Sequence, residues 1–189
     1  LHLSPALPHT VEALDRHLRD TAADAVFILG DLFEVWVGDD ARHAGFEARC
    51  ADVLADASTR RAVAFMCGNR DFLVGSALLK DCGVLALPDP TVFVAFGERL
   101  LLAHGDALCL SDLSYQRFRA LVRAPAWQRD FLARPLAERR ELARGRQQPL
   151  AAMDFPLALL VVLADHARAD VVAPVVELLL HLVLDDGPL

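Results

Sequence analysis

The chain has 189 residues, enough for one domain with a sizeable core. Hydrophobic residues make up 54% and charged residues 24%, a globular and somewhat apolar balance, and the net charge of -7 argues against general nucleic-acid binding. Cys50, Cys67, Cys82 and Cys109 show neither CxxC nor zinc spacing, which favours free thiols in a reducing compartment.

In chain order, "TVEALDRHLRD" (10–20) has helical spacing, with Thr10 as the expected N-cap. "DAVFILGD" (24–31) is a short apolar β run that ends on Gly-Asp. "FEARCADVLADAS" (46–58) returns to helical spacing at Phe46, Cys50, Val53 and Leu54. "AVAFMCGNRD" (62–71) is a second β run, "LPDPTVFVAFGER" an extra strand and turn, and "RLLLAHGD" (99–106) a third run of the first kind. Runs apolar on both faces suit buried strands, and strand–helix–strand alternation argues for α/β layers.

Residues 113–148 differ: nine Arg stand against Asp130, Glu138 and Glu141, interleaved with Tyr115, Phe118, Trp127 and Phe131. They read as a helical insertion in a single 1–189 domain, either a solvated amphipathic helix pair or a lid that meets an anionic, partly apolar ligand. "FPLALLVVLA" (155–164) is the longest apolar run, too short for a bilayer span of roughly 20 residues. "RADVVAP" (168–174) is a fourth expected strand, and the tail beyond it is broken by Pro174, Glu177 and His181.

The strand ends carry the polar residues: Asp31, then Asn69-Arg70-Asp71, then His104-Gly105-Asp106. Ligands bind outside the carboxyl ends of strands in α/β sheets. A carboxylate, an amide oxygen and an imidazole suit Mn, Fe or Zn rather than thiol-seeking metals. His2, in the opening "LHL", could join them. Singly these signals are weak, since Gly-Asp is common in turns and a buried His is more often structural. In series, "GD…GNRD…HGD" at spacings of about 38 and 35 residues resembles the metallophosphoesterase superfamily.

"GDLFEVWVGDD", "GNRDFLVG", "HGDALCLSD", "YQRFRALVR" and "MD" (153–154) narrow the resemblance to the UDP-2,3-diacylglucosamine hydrolase family within it. That resemblance, from residue 1 to about 172, implies a layered αββα sandwich with a helical lid at about 113–148. It implies metal-dependent hydrolysis of the substrate's pyrophosphate to 2,3-diacylglucosamine 1-phosphate and UMP in lipid A biosynthesis. It further implies two divalent ions, Mn2+ by preference, with His2 on the first, Asp31 bridging, and Asn69 and His104 on the second. Asn69, Arg70, Asp112 and Arg146 are then substrate contacts, with a metal-bound hydroxide as nucleophile and no further catalytic residue. The implied location is peripheral, on the cytoplasmic face of the bacterial inner membrane, with no protein partner. For Trp36 the expectation is core packing, and for Asp39 and Asp40 helix capping rather than metal contact. Arg70 is expected to bind phosphate or to pair with Asp71.

The chain departs from the family pattern in three places. The first Asp ligand before Leu1-His2-Leu3 is missing, "PLAAMD" follows "RGRQQ" without the family's longer loop, and Ala173-Pro174-Val175 stands where the family has Gly-His-Thr-His. The expectation is that segments are absent from the sequence, not that the metal site has been lost. The alternatives are a metallophosphoesterase for another phosphoester, or a non-catalytic relative that binds lipid or a partner.

Overall fold

The computed structural model describes residues 1–95, 98–151 and 161–163. The expected strand at 168–174 lies outside them. The first helix, α1 (Pro8–Asp20), begins before Thr10, because Pro8 at its first turn is already set to a helical φ. Leu7 is the N-cap and no side chain caps it.

Strand β1 (Ala25–Leu29) is followed by α2 (Gly45–Ser58), β2 (Ala62–Met66), α3 (Ser76–Asp81) and β3 (Leu85–Leu87). The three strands are parallel, β1 beside β2 and β2 beside β3, and β1 also pairs antiparallel with a short strand at Val161–Leu163. Strands β4 (Thr91–Ala95) and β5 (Glu98–Leu102) form a separate antiparallel hairpin.

Alternation along β1 and β2 builds the layers. Val26, Ile28, Val63 and Phe65 pack against Val11, Leu14 and Leu18 of α1 and Cys50 and Leu54 of α2. Phe27, Leu29, Ala64 and Met66 face the other way, onto Leu102 and Phe93 of the hairpin. Phe27 meets Phe93 edge-on at 4.8 Å. The described residues are thus an α/β fold of helices, a parallel sheet and a second β layer. The third β run of the sequence reading is buried on one face only: Leu100 and Leu102 point inward, and Leu101 is 63% exposed.

Helices α4 (Leu113–Val122), α5 (Pro125–Leu132) and α6 (Leu136–Ala151) follow. None of the described helices is long and apolar enough to cross a membrane.

Candidate metal centre

Strands β1 and β2 run parallel in register, so the loops that follow them leave the sheet side by side. The loop after β5 reaches them from the second layer. Together they bring Asp31, Asn69 and His104 into one buried cluster, at 4%, 5% and 4% exposure. His104 Nδ1 lies 2.9 Å from the Leu29 carbonyl, so that nitrogen carries the proton and Nε2 presents a lone pair. The Asn69 backbone N–H donates to Nε2 at 3.3 Å, which agrees with that tautomer. The Asp31 Oδ1 atom is 3.7 Å from Nε2 and accepts the Arg70 backbone N–H at 2.9 Å.

The Asn69 amide tests whether a cation fits. Its oxygen is 2.9 Å from His104 Nε2, acceptor against acceptor. With the amide turned, its nitrogen would donate to both Asp31 oxygens at 3.0 and 3.2 Å and to Nε2. Three lone-pair groups therefore converge, the Asn69 amide lying 2.9–3.2 Å from the other two, close to the spacing of about 3 Å between neighbours in an octahedral shell with bonds of about 2.1 Å. Either an inward NH2 or a cation reconciles them, and the mixed oxygen and nitrogen set suits a divalent ion. Among the described residues no group of three His, Cys, Asp or Glu converges, so Asn69 is needed to complete even this partial set.

Backbone strain marks the same place. Asp31 has φ 51 and His2 has φ 55, both in the left-handed region that non-glycine residues rarely occupy. Gly68 leaves room for the cluster: a Cβ there would stand 2.2 Å from Asp31 Oδ1 and 2.4 Å from the Asp31 backbone nitrogen.

His2 donates its backbone N–H to the Asp31 carbonyl at 3.0 Å, while its Nδ1 sits 3.1 Å from Glu34. The side chain that shares Glu34 is Arg70, whose Nη1 donates to it at 2.7 Å. Arg70 therefore pairs with Glu34, where the sequence suggested Asp71.

Asp71 has a different task, one the sequence reading missed. It is fully buried and accepts backbone N–H groups from Asp31, Leu32, Phe33 and Gly68, at 3.3, 2.8, 3.3 and 2.7 Å. It staples the two loops that carry Asp31 and Asn69. Burial, then the charge of Asp31, pushes its carboxyl up to about 6 against those donors. No local signal distinguishes such an anchor from an exposed turn residue, because three of its four partners are 38 to 40 residues away.

Asn69 and Arg70 also line one end of a cleft of about 320 Å³. Its walls are largely apolar: Trp36 and Leu73 on the core side, Phe118, Trp127 and Phe131 on the helical side. Trp127 stacks on Phe131 at 5.0 Å.

Curated relatives share this chain's residues over three quarters of its length. A UDP-2,3-diacylglucosamine hydrolase of Xanthomonas campestris pv. campestris (strain B100) is 49% identical over 141 residues, 74% of this chain and 57% of the relative. Proteins of the same name from Xanthomonas axonopodis pv. citri and Stenotrophomonas maltophilia are 48% identical over 141 residues and 43% over 164. This chain is a homologue of the UDP-2,3-diacylglucosamine hydrolases. It spans less than two thirds of the length of these relatives. No family model matches it.

In this hydrolase homologue Asp112 is the N-cap of α4, accepting from Tyr115 N at 2.8 Å and Ser114 Oγ at 2.7 Å. Those bonds hold its carboxyl below the usual range. Arg146 lies within α6, and its side chain is outside the described residues. Trp36 is buried against Phe33 at 4.5 Å, as expected, and donates through Nε1 to Asp39. Asp39 caps α3, accepting from Gly75 N and Leu78 N, both at 2.9 Å. Asp40 does not cap; it pairs with Arg139.

The arginine surplus of the helical segment is largely consumed inside the molecule. Arg119 and Arg123 meet Asp106, Arg134 meets Glu138, Arg139 meets Asp40, and Arg140 meets Glu47. Asp106, at 2% exposure, also accepts from the Tyr115 hydroxyl at 2.7 Å, and Arg123 reaches the Gly68 carbonyl. So α4 is tied to both the His104 loop and the Asn69 loop. Burial raises the Asp106 carboxyl, but Arg119, Tyr115 and Arg123 outweigh it and leave the group below its ordinary value.

Proposed function

We propose that this chain carries out metal-dependent hydrolysis of the pyrophosphate of UDP-2,3-diacylglucosamine, giving 2,3-diacylglucosamine 1-phosphate and UMP. The observation that carries this reading is contiguity. A buried Asp31–Asn69–His104 cluster fitted to a divalent ion opens, through Asn69 and Arg70, onto an apolar aromatic cleft. A lipid with a diphosphate head presents those two chemistries end to end.

Asp31, Asn69 and His104 would hold one ion, and Asp31 with His2 would contribute to a second. A bound divalent ion supplies charge neutralisation on phosphoryl oxygens and a hydroxide at neutral pH. The chain's own residues supply the rest. Leu29 fixes the His104 tautomer through its carbonyl, and Glu34 orients both His2 and Arg70. Arg70 offers a planar cation suited to phosphate oxygens. Asp112 and Arg146 are proposed as further substrate contacts, and the walls of the cleft keep water from the acyl chains.

A metal titration tests the first half. With Ala173-Pro174-Val175 where the family has Gly-His-Thr-His, we expect calorimetry to show one Mn2+ bound well and a second bound weakly. Two tight ions and full turnover would overturn the ligand assignment. A substrate panel tests the second half: preference for a nucleotide phosphoester over the diacyl substrate would favour another phosphoesterase. Saturable lipid binding without turnover would favour the non-catalytic reading.

The location belongs to the same proposal: peripheral, on the cytoplasmic face of the inner membrane. Leu108, Leu110 and Leu113 are 53%, 72% and 64% exposed around the start of α4, and Leu121 near its end is 53% exposed, which suits contact with acyl tails better than contact with water. Replacing Leu108, Leu110 and Leu113 by Ser is expected to reduce cosedimentation with anionic vesicles while leaving hydrolysis of a soluble phosphodiester unchanged. Undiminished cosedimentation would remove the patch from membrane docking.

A further inference from the structure

We infer that Arg139 is a positioning residue that latches the helical segment onto the core and so sets the width of the apolar cleft. The inference deepens the lipid-substrate reading and rests on it for the identity of the ligand, not for the latch itself.

Arg139 is 2% exposed although it lies on a surface helix, α6. Its guanidinium joins three segments. Nε donates to the Arg134 carbonyl at 2.9 Å, fixing the turn between α5 and α6. Nη1 donates to the Val37 carbonyl and, at 3.0 Å, to Asp40 Oδ1, while Nη2 donates to Asp40 Oδ2. The rigid fork of Arg suits this arrangement, and Lys, a point donor, could not serve all four acceptors at once. Gly38 leaves the passage open: it has φ +128, and a Cβ there would stand 2.3 Å from Arg139 Nη1.

The placement connects the latch to the cleft. Val37, whose carbonyl Arg139 grips, lines the cleft beside Trp36. Arg134, whose carbonyl it also grips, lines the opposite wall with Phe131. One buried cation therefore fixes the separation of the two walls from behind. The other end of the segment is held by Arg119 and Arg123 on Asp106. Apolar contacts also bridge the walls, since Trp127 and Phe131 pack against the core and Trp127 meets Phe72 at 6.1 Å, but no described residue of α5 is fully buried. The cleft is thus framed between two arginine–aspartate anchors, and the nearer one touches no metal-cluster residue.

The test compares wild type with Arg139→Gln, Arg139→Lys and, as a milder variant that keeps the buried guanidinium, Asp40→Asn. Two readouts are independent of turnover. The first is energy transfer from tryptophan to a dansyl-labelled long-chain fatty acid. Trp36 and Trp127, one on each wall, are the two tryptophans of the chain. The second is hydrogen exchange of the 35–41 segment and the first turn of α6.

Arg139→Gln is expected to weaken the acyl probe and raise KM for the diacyl substrate by about ten- to a hundredfold, the scale of a 1 Å misplacement. Turnover of a small soluble phosphodiester should stay within about twofold, because a residue behind the cleft changes binding and not the metal cluster. Arg139→Lys should recover part of the loss, and exchange should quicken in both latched segments. Equal loss on both substrates, in step with melting temperature, would make Arg139 a fold-stabilising residue only and overturn the inference. Unchanged exchange in Arg139→Gln and Asp40→Asn would overturn it as well. A wild-type protein that binds no acyl probe would instead sink the lipid reading, and the exchange data would still decide the latch.

Discussion

Asp31→Ala is expected to abolish both metal binding and turnover, with little change in fold stability. The carboxylate sits where three lone-pair groups converge, and among the described residues it accepts one backbone N–H, that of Arg70. Removing it deletes a charge from the metal cluster and one modest hydrogen bond from the fold. A bound metal contributes several kcal/mol to the transition state, so activity should fall by roughly a thousandfold or more. Calorimetric titration with Mn2+ and a thermal melt separate the two effects. Loss of activity with metal affinity intact would take Asp31 out of the ligand set. Loss of the folded state would show that the strained φ of Asp31 depends on the side chain itself.

Asp71→Ala is expected to be the most destabilising single change near the site. Its carboxylate accepts from Asp31, Leu32, Phe33 and Gly68, and the residue has no exposure to water. Ala would strand buried backbone donors, each worth about 1–3 kcal/mol when left unsatisfied. With partial relaxation the total should reach about 3–5 kcal/mol, at the severe end for point substitutions. Asp71→Asn retains one acceptor oxygen and should fall between the two. Urea unfolding gives the number. A cost below about 1 kcal/mol would mean that water takes over the four bonds without loss. Because the staple joins the Asp31 loop to the Asn69 loop, metal affinity should fall along with stability, though Asp71 touches no metal.

The two substitutions show how far the sequence reaches. The apolar runs of β1 and β2, the helical spacing at 10–20 and 46–58, and the three words that carry Gly-Asp, Gly-Asn and His-Gly are local facts, and they were legible as such. Spacing alone placed Asp31, Asn69 and His104 at strand ends, where α/β sheets hold their ligands. The homology found over residues shared with the named hydrolases agrees with the motif words that suggested it.

What the tertiary structure decided lies in the partners, and partners are not encoded next to a residue. Asp71 and Asp106 look alike in sequence, each an acid just past a strand. Packing made the first a staple of backbone N–H groups and the second an anchor for two arginines. Arg70 was expected to face its neighbour Asp71 or a phosphate, and it found Glu34, 36 residues away. The arginines of the helical segment read as an interfacial surface because charge near aromatics is ambiguous in one dimension. In three dimensions Arg119, Arg123, Arg134, Arg139 and Arg140 have carboxylate partners among the described residues, and Arg139 is buried. Local periodicity and strand-end chemistry depend on residues one to four positions apart, which sequence records directly. The pairing of buried charges depends on which distant loops the β-sheet register brings together, and that register is set only when the core closes.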